Sequence, residues 1–382
     1  MRKGIDIPMK KVLFVATVVR LHINMFHKPF IKWFHDQGWQ VDVVANNDYE
    51  NKEECIIPYC DNFYCLPFER SPFKKGNLDA YFQLKRLLAK EKYDIIHCHT
   101  PMGSVIARLA AGETRKRGTK VIYTAHGFHF FKGAPMINWL VYYPIERILA
   151  HRTDLLITMN QEDYNRSMTF KAKKTALVNG VGLDLNKFVE ATLEEKQEVR
   201  GAFKLNDDDI FAVSVAQLIK RKNHMVLIQA VEKLHNPHFH LFICGDGAQE
   251  AELKAKAKEL GIEHQIHFLG FRKDVYKISS AADLFLFASL QEGLPVAIME
   301  AMACGLPIVA SKVRGNYDLI DQGKGGYLVA PMDVDGFVKA IYKITENKER
   351  LEKMKQYNLR KVQKYSIEAV VEQMADLYED MM

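Results

Sequence analysis

Residues Leu284–Gly305 read Leu-Phe-Leu-Phe-Ala-Ser-Leu-Gln-Glu-Gly-Leu-Pro-Val-Ala-Ile-Met-Glu-Ala-Met-Ala-Cys-Gly. The apolar run Leu284–Ala288 has the length and composition of a strand buried on both faces, and Val296–Ala303 those of a helix. The Glu-Gly-Leu-Pro loop between them brings proline into the first turn of the helix, where a missing N–H costs nothing. Strand, short polar loop and helix together are one unit of a parallel α/β sheet. The same unit recurs on both sides. Phe211–Ala216, His240–Cys244, Ile266–Leu269 and Pro307–Ala310 read as strands, alternating with helices such as Met225–Leu234 and Glu250–Leu260. In the front half, strands at Val12–Ala16, Val41–Ala45, Ile95–Cys98, Val121–Ala125 and Leu155–Thr158 alternate with helical stretches such as Phe82–Leu88 and Ser104–Leu109.

At roughly 150 residues per domain, 382 residues suit two domains, each with its own core. The glycines of Asn179-Gly180-Val181-Gly182 follow a strand and mark the boundary, and Leu193–Arg200 reads as a polar helix opening the second half. The expected fold is α/β, with two Rossmann-like, doubly wound parallel-sheet domains, 9–182 and 183–365, facing a cleft. Ser366–Met382 carries Ile367, Val370, Val371, Met374 and Leu377 on one helical face, a helix suited to cross back onto the first domain.

Composition narrows the function classes. Twenty-two glycines and 12 prolines exclude collagen-like and low-complexity chains. No stretch approaches the roughly 18 apolar residues of a membrane span. Met1–Pro8 shows no apolar leader core, so a non-secreted, cytoplasmic protein is expected. None of the six cysteines forms a Cys-x-x-Cys pair, which points to reduced thiols. The net charge of +6 is uneven: residues 1–180 hold 27 Lys and Arg against 17 Asp and Glu, and residues 181–382 hold 26 against 30. A basic front half favours an anionic partner such as a membrane surface, a phosphorylated acceptor or nucleic acid.

Open α/β sheets bind ligands beyond the carboxyl ends of their strands. Those positions hold His97–Thr100, His126–His129, Gln217–His224, Gly245-Asp246-Gly247, Gly270–Lys273 and Glu292–Pro295. The backbone N–H groups of Gly293 and Leu294, next to Pro295 at a helix N-terminus, suit an anion. Glu292 and Glu300, eight residues apart, suit a ligand with several hydroxyl donors, and a buried carboxylate at 300 without such a partner would be costly. The cations Lys220, Arg221 and Lys222, after Gln217, suit a diphosphate. Gly245-Asp246-Gly247 admits either close ligand approach or a plain turn. It is no GxGxxG fingerprint, and no Walker motif occurs, so NAD and P-loop chemistry are not expected. His126, before a glycine at a strand end, suits hydrogen bonding to a ligand or proton transfer. His97 and His99 alternate along one strand, but no third ligand stands at metal spacing, so no metal site is expected. The aspartates of Asp207–Asp209 and Asp333–Asp335 lie in turn or cap contexts. Phe128–Tyr143 is rich in aromatic residues, which fit a core or a patch for a sugar, lipid or membrane interface.

At these residues the chain resembles the family-4 retaining glycosyltransferases of the GT-B fold, from about Lys10 to its end. The strongest carrier is Glu292 to Glu300 within Ser289–Ser311. Through His97–Ala111, Tyr123–Glu146 and Leu156–Tyr164 the front half is also similar to bacterial exopolysaccharide and capsule glycosyltransferases. The resemblance implies that Glu300 binds the donor ribose, Glu292 the transferred sugar, and Lys222, with backbone donors from Gly293 and Leu294, the diphosphate. It implies that Phe271 and Arg272 line the base and that His126 lies against the reaction centre. His99, Phe128 and His129 would face the acceptor. Two features depart from the pattern. Gln217 stands where many relatives have arginine, and Thr17–His22 replaces a glycine pair after the first strand.

The expected activity is transfer of a hexose-type sugar, with retention, from a nucleoside diphosphate sugar, UDP-linked, as co-substrate and with no other cofactor. The acceptor is a glycan or a lipid-linked species of exopolysaccharide or capsule synthesis. Arg115-Lys116-Arg117 and the aromatic patch motivate a lipid-diphosphate acceptor and peripheral contact with the inner membrane face; nucleic acid is not expected. The alternatives are a GT-B nucleotide-sugar epimerase, a glycoside hydrolase using Glu292 and Glu300, and a non-catalytic binding module.

Overall fold

The computed structural model describes residues 9–382, so the leader reading of Met1–Pro8 lies outside the described residues. They divide into two compact units: one runs through Gly182 and is completed by Ile367–Met382, and the other is Leu183–Ser366.

The first unit is built on strands β1 (Lys11–Val18), β2 (Gln40–Asn46), β3 (Asn62–Cys65), β4 (Ile95–His99), β5 (Lys120–Ala125), β6 (Leu155–Thr158) and β7 (Lys174–Leu177). They form one sheet in the order β3-β2-β1-β4-β5-β6-β7, and every pairing is parallel. Alternate residues of β1 serve opposite faces. Leu13 and Val15 pack with Leu84, Leu88, Ile106 and Ala107. Val12, Phe14 and Ala16 pack with Ile31, Phe34, Val370 and Tyr378. The helix Ile367–Glu379 thus covers part of this unit's sheet. The Tyr378 hydroxyl, fully buried, lies 2.9 Å from Nδ1 of His97.

The second unit has β8 (Ile210–Val215), β9 (Phe239–Cys244), β10 (Ile266–Gly270), β11 (Leu284–Phe287), β12 (Ile308–Ser311) and β13 (Gly326–Val329), in the order β10-β9-β8-β11-β12-β13. Again all pairs are parallel, and β11 splits its residues between faces. Leu284 and Leu286 point one way and Phe285 and Phe287 the other.

Three strands did not stand out in the sequence: β3, β7 and β13. Each is a sheet edge, and the half-exposed Asn-Phe-Tyr-Cys, Lys-Thr-Ala-Leu and Gly-Tyr-Leu-Val lack the continuous apolar run of a central strand. Both sheets reverse strand order once, between β1 and β4 and between β8 and β11, and those switch points are where crevices open. The six cysteines are free. Among the described residues no helix is long and apolar enough to cross a membrane.

Candidate active site

The second unit's switch point is built by two loops pinned together. After β8, the chain makes a short helical turn, Lys220–Lys222, and Asn223 then adopts φ +56° to start the helix His224–Leu234. The Asn223 amide donates to the carbonyls of Ala288 (3.2 Å) and Pro331 (2.9 Å). The Leu290 N–H donates to the Arg221 carbonyl at 2.8 Å. This zipper brings Lys222 Nζ to 2.6 Å from Glu292 Oε1, with Arg221 Nη1 at 3.3 Å from the same oxygen. The Ser289 hydroxyl donates to that oxygen as well. Arg314 Nε donates to the Glu292 carbonyl at 3.0 Å. Burial lowers the Lys222 pKa while Glu292 holds it up. Two cations against one carboxylate leave a surplus positive charge at the strand end, which suits an anionic ligand.

The loop continues into the helix Val296–Ala303, whose N-cap is Pro295; proline therefore sits just before the first turn rather than within it. No side chain caps this helix, and its first turn carries no acid, so its N-terminal N–H groups remain available beside Gly293 and Leu294. Glu300 lies in the second turn of this helix. Burial pushes its carboxyl up to about 7, the distant Lys187 only partly opposing. Among the described residues no hydrogen bond or ion pair is formed by this carboxyl group.

The other predicted donor-side residues sort clearly. Gly245 has φ +150°, and a Cβ there would lie 2.0 Å from the Ala216 carbonyl oxygen; at Gly247, with φ +152°, it would lie 2.5 Å from that of Leu218. Protein backbone fills the space, so packing of chain on chain accounts for both glycines. The Leu218 N–H donates to the Asp246 carbonyl at 2.7 Å, a structural use of the loop. Gln217 is exposed. Phe271 is 71% exposed, a ring open to a ligand face, whereas Arg272 is forked onto Asp274 at 2.6 and 2.8 Å. Asp333 caps a helix by accepting from the Gly336 N–H, and Asp209 accepts from the Asn206 N–H.

In the first unit His126 directly follows β5, and burial pushes its imidazole down to about 4. His99, at the end of β4, lies beside it, with ring centroids 5.8 Å apart. His129 stacks on Tyr142 at 4.6 Å. Phe128 is 3% exposed, stacks on Phe130, and with His129 and Met102 lines a small cavity of about 120 Å³. A cavity of about 310 Å³ opens at this switch point, lined by residues including Thr17, His22, Arg70, Thr100, Met102 and His129. Thr100 has φ +61°, rare for a β-branched residue. Its hydroxyl accepts from the Thr17 N–H and shares a hydrogen bond with the Thr17 hydroxyl, which hold it there, so strain is stored at this site. The larger hollow of about 800 Å³ is lined by residues including Lys324, Glu349, Arg350 and Arg360, none of them a predicted site residue. Sequence spacing missed His22 and His27. They come from the helix Val19–His27, which follows β1, and only the sheet order brings them to His99 and His126.

Two parallel doubly wound sheets, the second with an acid, two cations and an uncapped helix at its switch point, define the GT-B class of architecture. The chain belongs to the group 1 and 4-like glycosyltransferases. Residues 195–361 match the family of glycosyl transferases group 1, and residues 11–160 match the glycosyl transferase 4-like family. A protein of Bacillus subtilis (strain 168) with the provisional name glycosyltransferase EpsD is 39% identical over 373 residues, covering 97% of this chain and 96% of that protein. The UDP-Gal:alpha-D-GlcNAc-diphosphoundecaprenol alpha-1,3-galactosyltransferase of Escherichia coli is 30% identical over 316 residues, 80% of each chain. Among solved structures, Anabaena HepE in complex with UDP and glucose shares the fold, with a TM-score of 0.80 at 20% identity over 97% of this chain and 100% of that one. The chain is a GT-B glycosyltransferase, and the comparisons lend no support to the epimerase or hydrolase alternatives. Lys222, Arg221 and Ser289 all hold the same Glu292 oxygen, Oε1.

Proposed function

We propose that the chain transfers a hexose-type sugar, with retention, from a UDP-sugar to a lipid-diphosphate-linked acceptor at the inner membrane face, in exopolysaccharide or capsule-type synthesis. The observation that carries this reading is the Lys222–Glu292 pair, 2.6 Å apart at the switch point of the second sheet. Lys222, Arg221 and the helix N-terminus at Gly293 and Leu294 stabilise the departing diphosphate, an electrostatic form of catalysis. Glu292 accepts from the sugar hydroxyls and Glu300 from the ribose. The bond from the anomeric carbon to the phosphate oxygen breaks, the acceptor oxygen bonds on the same face, and its proton passes to the departing phosphate. The donor class is supported by the E. coli relative, whose name gives UDP-Gal as donor and a diphosphoundecaprenol acceptor.

Membrane contact has its own support. The helix Met136–Leu149 exposes Met136, Ile137, Leu140 and Ile148, an aliphatic face, while the aromatic residues Phe128 and Phe130 are core. The half of the chain that carries it is the basic one.

The donor reading is tested by a thermal-shift panel of nucleotide sugars, in which the donor at ~100 times its Kd stabilises by about 2.7 kcal/mol. Lys222→Ala should then lower turnover about 10–100-fold, the loss of one charged contact of ~1.5–3 kcal/mol. Unchanged kinetics across the panel in that variant would remove Lys222 from the reaction.

A further inference from the structure

We infer that His22, His27, His99 and His126 form a binding site for one divalent transition-metal ion of the zinc type. The four side chains each offer a ring nitrogen, and these atoms all lie within 4.8 Å of one another. Tetrahedral coordination at a Zn–N distance of about 2.0–2.1 Å sets ligand nitrogens roughly 3.4 Å apart, so the widest pair has about 1.4 Å to close.

The hydrogen-bond pattern singles these rings out. Both nitrogens of His27 and of His99, and Nε2 of His22 and of His126, are buried without a hydrogen-bond partner. Buried polar atoms are almost always paired, and a cluster of exceptions asks for water or an ion. His97 supplies the contrast. It also lies in the core, 4.1 Å from His99 between ring centroids, yet Thr124 and Tyr378 occupy its two nitrogens at 2.8 and 2.9 Å. Ordinary core packing satisfies one histidine here and leaves four converging ones unsatisfied.

The backbone is built for the convergence. Val19–His27 is a π-helix, a rare geometry with i→i+5 hydrogen bonds, found mostly at functional sites. His22 and His27 are five residues apart, and their ring centroids lie 4.8 Å apart. β4 and β5 contribute His99 and His126 at adjacent strand ends, so three segments meet at the switch point. Four imidazoles with no carboxylate select zinc, nickel, cobalt or copper rather than magnesium or calcium. The ion would fix the His126 ring.

The test is metal binding by the full-length chain, which reads the site without donor or acceptor and so is independent of the proposed transfer reaction. Chelator-stripped protein is titrated with Zn²⁺ in competition with a chromophoric chelator, and separately with Co²⁺ followed by absorbance. One ion per chain, a rise in Tm with Zn²⁺, and a Co²⁺ spectrum of tetrahedral nitrogen ligation without thiolate bands are expected. The double variant H22Q/H27Q should lose the tight equivalent, while H151Q, outside the cluster, should keep it. No tight equivalent in the wild type, or one that survives in a folded H22Q/H27Q protein, overturns the inference. If the double variant does not fold, the wild-type Co²⁺ spectrum decides alone, and its failure to show nitrogen ligation overturns the site.

Discussion

Glu300 shows how one side chain can carry both a cost and a use. Its carboxyl titrates at about 7 against an ordinary 4.5 because it is buried. Between those values the unfolded chain sheds the proton while the folded chain keeps it. The contribution is therefore fully present below about 4.5, and stability falls as pH rises to about 7 and then levels. E300Q removes that slope. The Tm difference between variant and wild type should grow in the variant's favour from pH 5 to 8, as a pH series of melting curves will show. At the same time the variant's KM for the donor should rise about 10–100-fold, the worth of a hydrogen bond to a charged group. Glu292 and Lys222 were legible in the sequence because each follows a central strand within a few residues. His22 and His27 were not, because four ligands from three segments leave no spacing to read.

The same contrast holds for whole elements. Central strands announce themselves as apolar runs because helices cover both faces, while β3, β7 and β13, exposed along one edge, do not. Glycines divide similarly. Gly245 sits at φ +150° with a carbonyl oxygen 2.0 Å from where its Cβ would be. G245A should therefore cost on the order of 2 kcal/mol or more, through strain and forced separation of two loops. Gly201, in the helix Leu193–Ala202, has nothing within 4 Å of the point a Cβ would occupy, and G201A should gain up to about 1 kcal/mol. Urea midpoints of the two variants, moving in opposite directions, check both statements. Sequence alone could not tell these glycines apart, since the neighbour that matters at Gly245 is Ala216, brought there by the β8–β9 pairing.

On the scale of the whole molecule, charge and apolar exposure fall on the same half of the chain. Co-sedimentation with anionic vesicles is expected at low salt and should weaken as salt rises. L140D, at a side chain that is 67% exposed, should reduce it severalfold without changing Tm. Sedimentation independent of both would argue against docking through this helix. The two-unit plan and its boundary near Gly182 could be read from glycine placement and strand alternation. The apolar face of Ile367–Glu379 marked it as a packed helix suited to cross back onto the first domain, and there it packs. Truncation after Ser366 removes Val370, Met374 and Tyr378 from the first unit's core. It should lower that unit's melting transition and open it to limited proteolysis while Leu183–Ser366 stays protected.

That returning helix also sets an order of events during synthesis. At about 5–20 residues per second, a ribosome needs roughly 10–40 s to make Leu183–Ser366 after the first unit's strands have emerged. The later half of the polypeptide can be finished while the earlier half still waits for its last piece, its sheet open where Val370 and Tyr378 will settle. In the cell, the amino-terminal lobe is the one that matures last and the one a chaperone has most reason to guard.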